Sequence, residues 1–240
     1  MRVLLINANT TPAITDRLVA IAQELAPPGV TFQGATGRFG ARYIASRAAS
    51  AVAAHAALDA YAEHGAGADA VLLGCFGDPG LDALREVAPV PVLGLADASA
   101  EATCRVARRF GVVTGGAAWK PMLEEFFAAR GHGDRLAGVR TVAPSGGEMA
   151  RDPDGAVALL AEACRASAEQ DGAEAVVLGG AGLAGFAARL EGRVPVPVIC
   201  SVEAGVRATI AALGGGPAGL MPHQPVETVG LSLALAKLLG

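Results

Sequence analysis

The stretch Ala68-Asp69-Ala70-Val71-Leu72-Leu73-Gly74-Cys75-Phe76-Gly77 returns 105 residues later as Ala173-Glu174-Ala175-Val176-Val177-Leu178-Gly179-Gly180-Ala181-Gly182. Each copy is a short Val/Leu run that meets glycines, the pattern of a buried parallel strand entering a tight loop. The match continues: Gly80 falls on Gly185, and after one residue of slippage Pro89-Val90-Pro91-Val92 falls on Pro195-Val196-Pro197-Val198, which sets Asp97 on Glu203. A match this long is an internal duplication rather than shared composition. One position breaks it, because Cys75 is answered by Gly180.

Outward from these copies, short β-branched runs alternate with alanine-rich helical patterns. The spacing predicts a helix from about Ala13 to Ala26, another from about Ile44 to His64, and the strand "PVLGLA" before a helix from about Ala98 to Arg109. In the second half "AEAVVLGG" leads to a short helix, and "PVPVICS" to a helix near Glu203 to Leu213. Strand then helix, nine or more times, predicts an α/β protein with parallel sheets. The duplication predicts two pseudo-symmetric lobes, residues 1–97 plus 206–240 and residues 98–205, each a Rossmann-like sandwich, with an active site in the cleft between them. Parallel sheets bind ligands beyond the carboxyl ends of their strands. Those ends carry Asn7 to Thr11, Gly37 to Gly40 with Phe39, Gly74 to Gly80, Thr114 to Gly116, Gly179 to Gly182, and Cys200-Ser201.

The 240 residues suffice for one large or two small domains. At 52% hydrophobic and 4% aromatic, the core must be built from Ala, Val and Leu. A net charge of −4 gives no basic footprint for nucleic acid or a membrane surface. The N-terminal apolar run reaches Asn7 too soon for a signal peptide, and no window approaches the roughly 18 apolar residues of a spanning helix. Cys75, Cys104, Cys164 and Cys200 show neither CxxC nor Cys/His ligand spacing, so they read as thiols of a cytoplasmic protein without a metal site.

Cys75 follows a buried strand and precedes a helix start at Pro79 or Gly80. Free N–H groups at a helix start lower a thiol pKa and hold anionic substrate groups, so Cys75 is either a reactive thiol or a structural one. In Asn7-Ala8-Asn9-Thr10-Thr11 the short polar side chains can bind a small substrate or cap the next helix, with Pro12 at an early helical position. Gly180-Ala181-Gly182-Leu183-Ala184-Gly185 fits GxGxxG, but only about two helical turns fit before Arg193-Val194-Pro195, which disfavours a dinucleotide. His55, His64, His132 and His223 lie off the six loops, and Ser99, Ser145 and Ser201 lack the GxSxG setting of a hydrolase. Cys104 and Cys164 read as core residues of helices, and Cys200 as a filler at a strand end or a second thiol facing the cleft.

Together "INANTT", "GCFGDPGL", "PVLGLADA", "FGVVT", "DGAEAVVLGGAG" and "VPVICSVEAGV" resemble the aspartate/glutamate racemase superfamily, in its hydantoin and allantoin racemase branch, over about Arg2 to Leu213. The resemblance implies two pseudo-symmetric α/β lobes, a homo-oligomer, no metal or organic cofactor, and two cysteines on opposite faces of a stereocentre. A base and an acid on opposite faces are what inversion requires. Cys75 matches the first cysteine, and Gly180 stands where the second belongs. Asn9, Thr10, Phe39, Gly40, Phe76, Gly77, Thr114, Gly180, Ala181 and Gly182 then form the implied substrate-binding set. Ala8 replaces the usual proline, and Cys200 stands where relatives commonly have Asp.

The implied function is racemisation or epimerisation of a carbon acid next to a carbonyl, in a small acidic or hydantoin-like substrate. Cys75 serves as acid or base, with Cys200 or water as its partner. Two other readings stay open, a single-thiol decarboxylase of the arylmalonate type and a binding relative without turnover. On the sequence alone, Gly180→Cys is expected to restore or raise racemisation.

Overall fold

Val3, Leu4, Leu5 and Ile6 are fully buried, as are Val71, Leu72 and Leu73, so neither run shows the alternation of a half-exposed strand. The first run lies in β1 (Arg2–Asn7) and the second in β3 (Ala70–Leu73). In the computed structural model, which describes residues 1–143, 152–216 and 224–240, both are central strands of one parallel sheet. The chain divides into two compact units, 1–94 with 206–240, and 95–205.

The first unit holds a four-stranded parallel sheet of order β2-β1-β3-β4, completed by β2 (Thr31–Thr36) and β4 (Val92–Gly94). Its helices are α1 (Pro12–Leu25), α2 (Arg47–His64) and α3 (Leu81–Val87). In the second unit β5 (Phe110–Gly115), β6 (Leu136–Val142), β7 (Ala175–Gly179) and β8 (Val198–Cys200) form a parallel sheet of order β6-β5-β7-β8. Its helices are α4 (Leu95–Cys104), α5 (Trp119–Ala129), α6 (Pro153–Glu169) and α7 (Phe186–Arg189). Helix α8 (Ser201–Ala212) begins in the second unit and ends in the first, and α9 (Leu233–Leu239) closes the described chain. The two sheets therefore share one topology, as the duplicated sequence requires.

Several boundaries differ from the sequence expectation, each for a local reason. Helix α2 starts at Arg47 instead of Ile44, because the Ser46 hydroxyl accepts the N–H of Ala49 at 3.1 Å and caps it there. Strand β4 stops at Gly94 and α4 runs over Leu95–Cys104, not 98–109. The Arg135 guanidinium donates to the carbonyls of Cys104 and Ala107 at 2.9 and 2.6 Å, taking up acceptors that a longer helix would use itself. Among the described residues there are eight strands, fewer than the nine alternations expected. The helix after the GxGxxG stretch is a single turn, α7, shorter still than the two turns allowed from sequence. Ser145 and His223 lie outside the described residues.

Candidate active site

The carboxyl edge of the first sheet is polar and mostly self-satisfied. Asn7, fully buried, donates from Nδ2 to Asn9 Oδ1 at 3.0 Å, Thr15 Oγ1 at 3.0 Å and the Thr11 carbonyl at 3.2 Å. Asn9 Oδ1 also accepts the N–H of Thr11 at 2.9 Å, and the Thr10 N–H goes to the Ala41 carbonyl at 3.1 Å. Asn7 therefore holds the loop together, its Oδ1 accepting the Asn9 backbone N–H at 3.3 Å, while the Asn9 side-chain Nδ2 and the Thr10 hydroxyl have no hydrogen-bond partner among the described residues. Thr11 is the residue before α1, yet its hydroxyl donates to the Arg42 carbonyl instead of capping the helix.

Cys75 follows β3 in the same edge and is 9% exposed. The chain after it is tightly wound: Gly77, Asp78 and Gly80 have φ of 94°, 48° and 86°, and Asp78 is the one non-glycine with positive φ among the described residues. Such conformations cluster where a loop is held for function. The Asp78 N–H donates to the Cys75 carbonyl at 3.0 Å, and the Asp78 carboxylate lies against Gly94, where any side chain would overlap it. The helix start was expected to lower the thiol pKa, and the structure corrects this. Burial, with a further push from the Asp78 carboxylate, raises the Cys75 pKa to about 12. Helix α3 begins only at Leu81 and has seven residues. Cys75 is therefore a neutral thiol.

In the second unit Thr114, 5% exposed, donates from its hydroxyl to the Gly179 carbonyl at 2.8 Å. Its proton is thus committed to the loop that carries Gly180. The Gly180 N–H donates to Ser201 Oγ at 3.2 Å, and the Leu183 N–H returns to the Gly180 carbonyl at 2.9 Å. Gly180 has φ 121° and ψ 141°, a region essentially reserved for glycine. A Cβ built there would meet only the Thr114 hydroxyl oxygen within 4 Å, at 3.8 Å, so the position is open in space yet closed in backbone. Cys200 is 6% exposed and borders a pocket of about 390 Å³ with Ala187, Leu190, Val194, Val198 and Glu203. Burial pushes its pKa up, while backbone N–H groups of Glu203, Gly185 and Val202 at its sulfur pull the other way. Cys164 is fully buried in α6 as expected, but Cys104 ends α4 only partly buried, with its sulfur 3.8 Å from His132 Nδ1.

The structure also brings forward residues that the sequence did not single out. Arg38, Asp59 and Asp78 flank the first unit's loops. His55, set aside from sequence as lying off the six loops, is exposed on α2 and touches Phe39 of the second loop. Arg38 and Asp59 are 21 residues apart with no local motif between them; only the Asp-Pro-Gly turn at Asp78 carried a signal. Among the described residues no group of three His, Cys, Asp or Glu is placed to hold a metal ion, and no helix is long and apolar enough to cross a membrane.

With a cysteine at the end of β3, a polar loop after β1 and one topology used twice, comparison with known proteins is decisive. The sequence profile of the Asp/Glu/hydantoin racemase family matches residues 3–209. The chain belongs to this family. It is 35% identical to a hydantoin racemase of Pseudomonas sp. (strain NS671) over 230 residues, covering 95% of this chain and 92% of the relative. A hydantoin racemase of Paenarthrobacter aurescens is 34% identical over 220 residues, covering 89% and 92%. The crystal structure of an allantoin racemase from Pseudomonas fluorescens superposes with a TM-score of 0.91 at 29% identity, covering 96% of this chain and all of that one. The α/β fold and the racemase family inferred from the sequence motifs are thereby established.

Proposed function

We propose that this racemase-family isomerase inverts the stereocentre of a small hydantoin-like substrate, with Cys75 exchanging the proton on the ring carbon next to the carbonyl. The observation that carries the reading is a buried cysteine at the end of β3 in a chain that matches hydantoin racemases over nearly its whole length. Cys75 gives up its thiol proton to solvent, the thiolate takes the carbon's proton, the electron pair moves onto the adjacent carbonyl as an enolate, and a second donor returns a proton to the opposite face. In the reverse direction the neutral Cys75 thiol is the donor, and its raised pKa favours that resting state. The backbone N–H groups of Phe76 and Gly77 are assigned to the enolate or the substrate's acidic group, where charge develops. Asn9 and Thr10 are assigned to the ring's polar atoms, with Phe39 and Gly40 beside them, and Ala181 and Gly182 to the second loop's amide contacts.

No thiol stands at Gly180, so the second proton is assigned to solvent in the open space before Thr114. Cys200 is the alternative donor. With the family reading go a cytoplasmic location and a homo-oligomeric state, proposed on that ground alone.

The test is to incubate single enantiomers of a hydantoin panel in deuterium oxide. Loss of optical rotation with deuterium at the ring carbon, abolished in Cys75→Ser, supports the reading. Deuterium uptake with retained rotation would mean one-face exchange, and carbon dioxide release from substituted malonates would move the protein to single-thiol decarboxylation. Retention of second-face delivery in Cys200→Ala leaves solvent as donor; its loss assigns Cys200.

A further inference from the structure

The loop after β2 runs along one stripe of α2. A Cβ at Gly40 would lie 3.4 Å from Val52 Cγ1, Phe39 meets the His55 ring edge-on with centroids 4.8 Å apart, and Arg38 reaches Asp59. Val52, His55 and Asp59 are spaced i, i+3 and i+7, so they share a face of the helix. Arg38 grips Asp59 with a fork, Nε to Oδ2 at 2.9 Å and Nη2 to Oδ1 at 2.8 Å. A third donor completes the site: Ser232 Oγ gives its proton to Asp59 Oδ1 at 2.6 Å and accepts the N–H of Leu235 at 3.2 Å, which caps α9. The Asp59 side chain is 2% exposed, and Arg38 holds its carboxyl below the usual carboxylate range against the cost of burial.

Arg38, with its side chain 52% exposed, invites reading as an anion receptor. Its surroundings argue otherwise. Glu63 Oε1 lies 3.5 Å from the same guanidinium, so two carboxylates already face one positive charge and leave no surplus for a substrate anion. The fork is a strut between loop and helix. Helix α2 also braces the cysteine loop, because a Cβ at Gly80 would lie 3.0 Å from the Ala54 Cα.

We infer that Asp59 is a positioning residue for substrate recognition: through Arg38 it fixes the loop carrying Phe39 and Gly40, and through Ser232 it makes α9 part of the same strut. The inference rests on the reading that Phe39 and Gly40 face the substrate. Asp59→Asn keeps the shape of the side chain but removes the charge that both donors address. Asp59 is buried while Arg38 is half exposed, so neutralising Asp59 leaves the guanidinium solvated and the loss falls on the fork and the loop it holds.

Two measurements on the full-length chain decide the matter. In hydrogen exchange, the amides of Gly37 and Thr10, which donate to the Asn7 and Asn9 carbonyls and to the Ala41 carbonyl at the two ends of the loop, should open at least about tenfold faster in Asp59→Asn, with a smaller increase in Ser232→Ala and an intermediate one in Arg38→Lys, which keeps the charge but not the fork. In hydantoin kinetics, KM should rise about tenfold in Asp59→Asn with kcat within about twofold, the signature of lost substrate positioning. Unchanged exchange at Gly37 and Thr10 would overturn the strut. Faster exchange with an unchanged KM, or a kcat loss at constant KM, would overturn the recognition role. If Asp59→Asn fails to fold, Arg38→Lys and Ser232→Ala carry both measurements. If the wild-type protein turns over no hydantoin, the proposed function fails while the exchange result still judges the strut.

Discussion

The cysteine loop of the first unit and the Gly180 loop of the second are two versions of one turn. Both leave the third strand of an identical sheet order, and both reach a left-handed glycine before a short helix, Gly80 at φ 86° and Gly185 at φ 85°. They part at Cys75 and Gly180. The first carries a thiol and winds the following residues through Gly77 and Asp78, whereas the second has a glycine there with its own backbone at φ 121°. The two loops thus differ in backbone as well as in residue, and a cysteine at Gly180 would meet a backbone angle that disfavours any side chain.

The next strands repeat the lesson. Strand β4 ends at Gly94 and β8 at Cys200, equivalent positions in the duplicated sequence. In the first unit the Asp78 carboxylate fills the place of a Gly94 side chain; in the second the Cys200 thiol grows from that place and collects the backbone N–H groups of Gly185, Val202 and Glu203. One polar acceptor sits at each strand end, supplied by the loop in one unit and by the strand in the other. That comparison favours a structural role for Cys200.

The largest effect is expected where the loops differ most. Cys75→Ser should lower kcat/KM for hydantoin racemisation by about 10³ or more, in the range lost with a general acid–base group, with Tm nearly unchanged. Polarimetry with mass-detected deuterium uptake reads it, and wild-type rates in the variant would remove Cys75 from the chemistry. Alkali offers the next test. Cys75 and Cys164 have pKa values raised from 9.0 to about 12 by burial, so the folded state holds those protons more tightly than the unfolded chain. The stabilisation is complete below pH 9 and is lost as pH climbs toward 12, at about 1.4 kcal/mol per pH unit for each thiol. Urea unfolding from pH 8 to 11 should show the fall, and Cys75→Ser should make the slope shallower by the share of one thiol; an identical slope would show that Cys75 is not buried as described.

The duplication and the strand runs made the fold legible because a strand buried on both faces writes itself as an unbroken apolar run. Cys75 was legible for the same reason, standing where "AVLLG" ends. Its pKa was not, since the helix-start argument saw the local backbone but neither the burial nor Asp78. Nor was the Arg38–Asp59–Ser232 strut, which joins residues up to 173 positions apart and leaves no periodic trace. Gly180 is the instructive middle case: the duplicated sequence sets a glycine opposite Cys75, and only the backbone angle shows why a side chain there is costly.

Gly180→Cys follows with a smaller effect. A side chain at φ 121° costs about 1–3 kcal/mol, so the variant should melt several degrees lower and racemise no faster than the parent. A gain in rate with unchanged Tm would show that the second loop can turn into the geometry of the first.

The smallest effect is expected at Cys200. If its sulfur serves as an acceptor for the N–H groups around it, as the Asp78 carboxylate's counterpart, then Cys200→Ser keeps an acceptor in place and should change stability by about 1 kcal/mol or less, with racemisation intact. Cys200→Ala removes the acceptor and leaves three N–H groups facing a buried gap, so it should destabilise by more than the serine variant, about 1–3 kcal/mol, while second-face deuteration persists. Equal stabilities for the two variants would break the parallel with Asp78, and a loss of second-face deuteration in both would make Cys200 the missing acid.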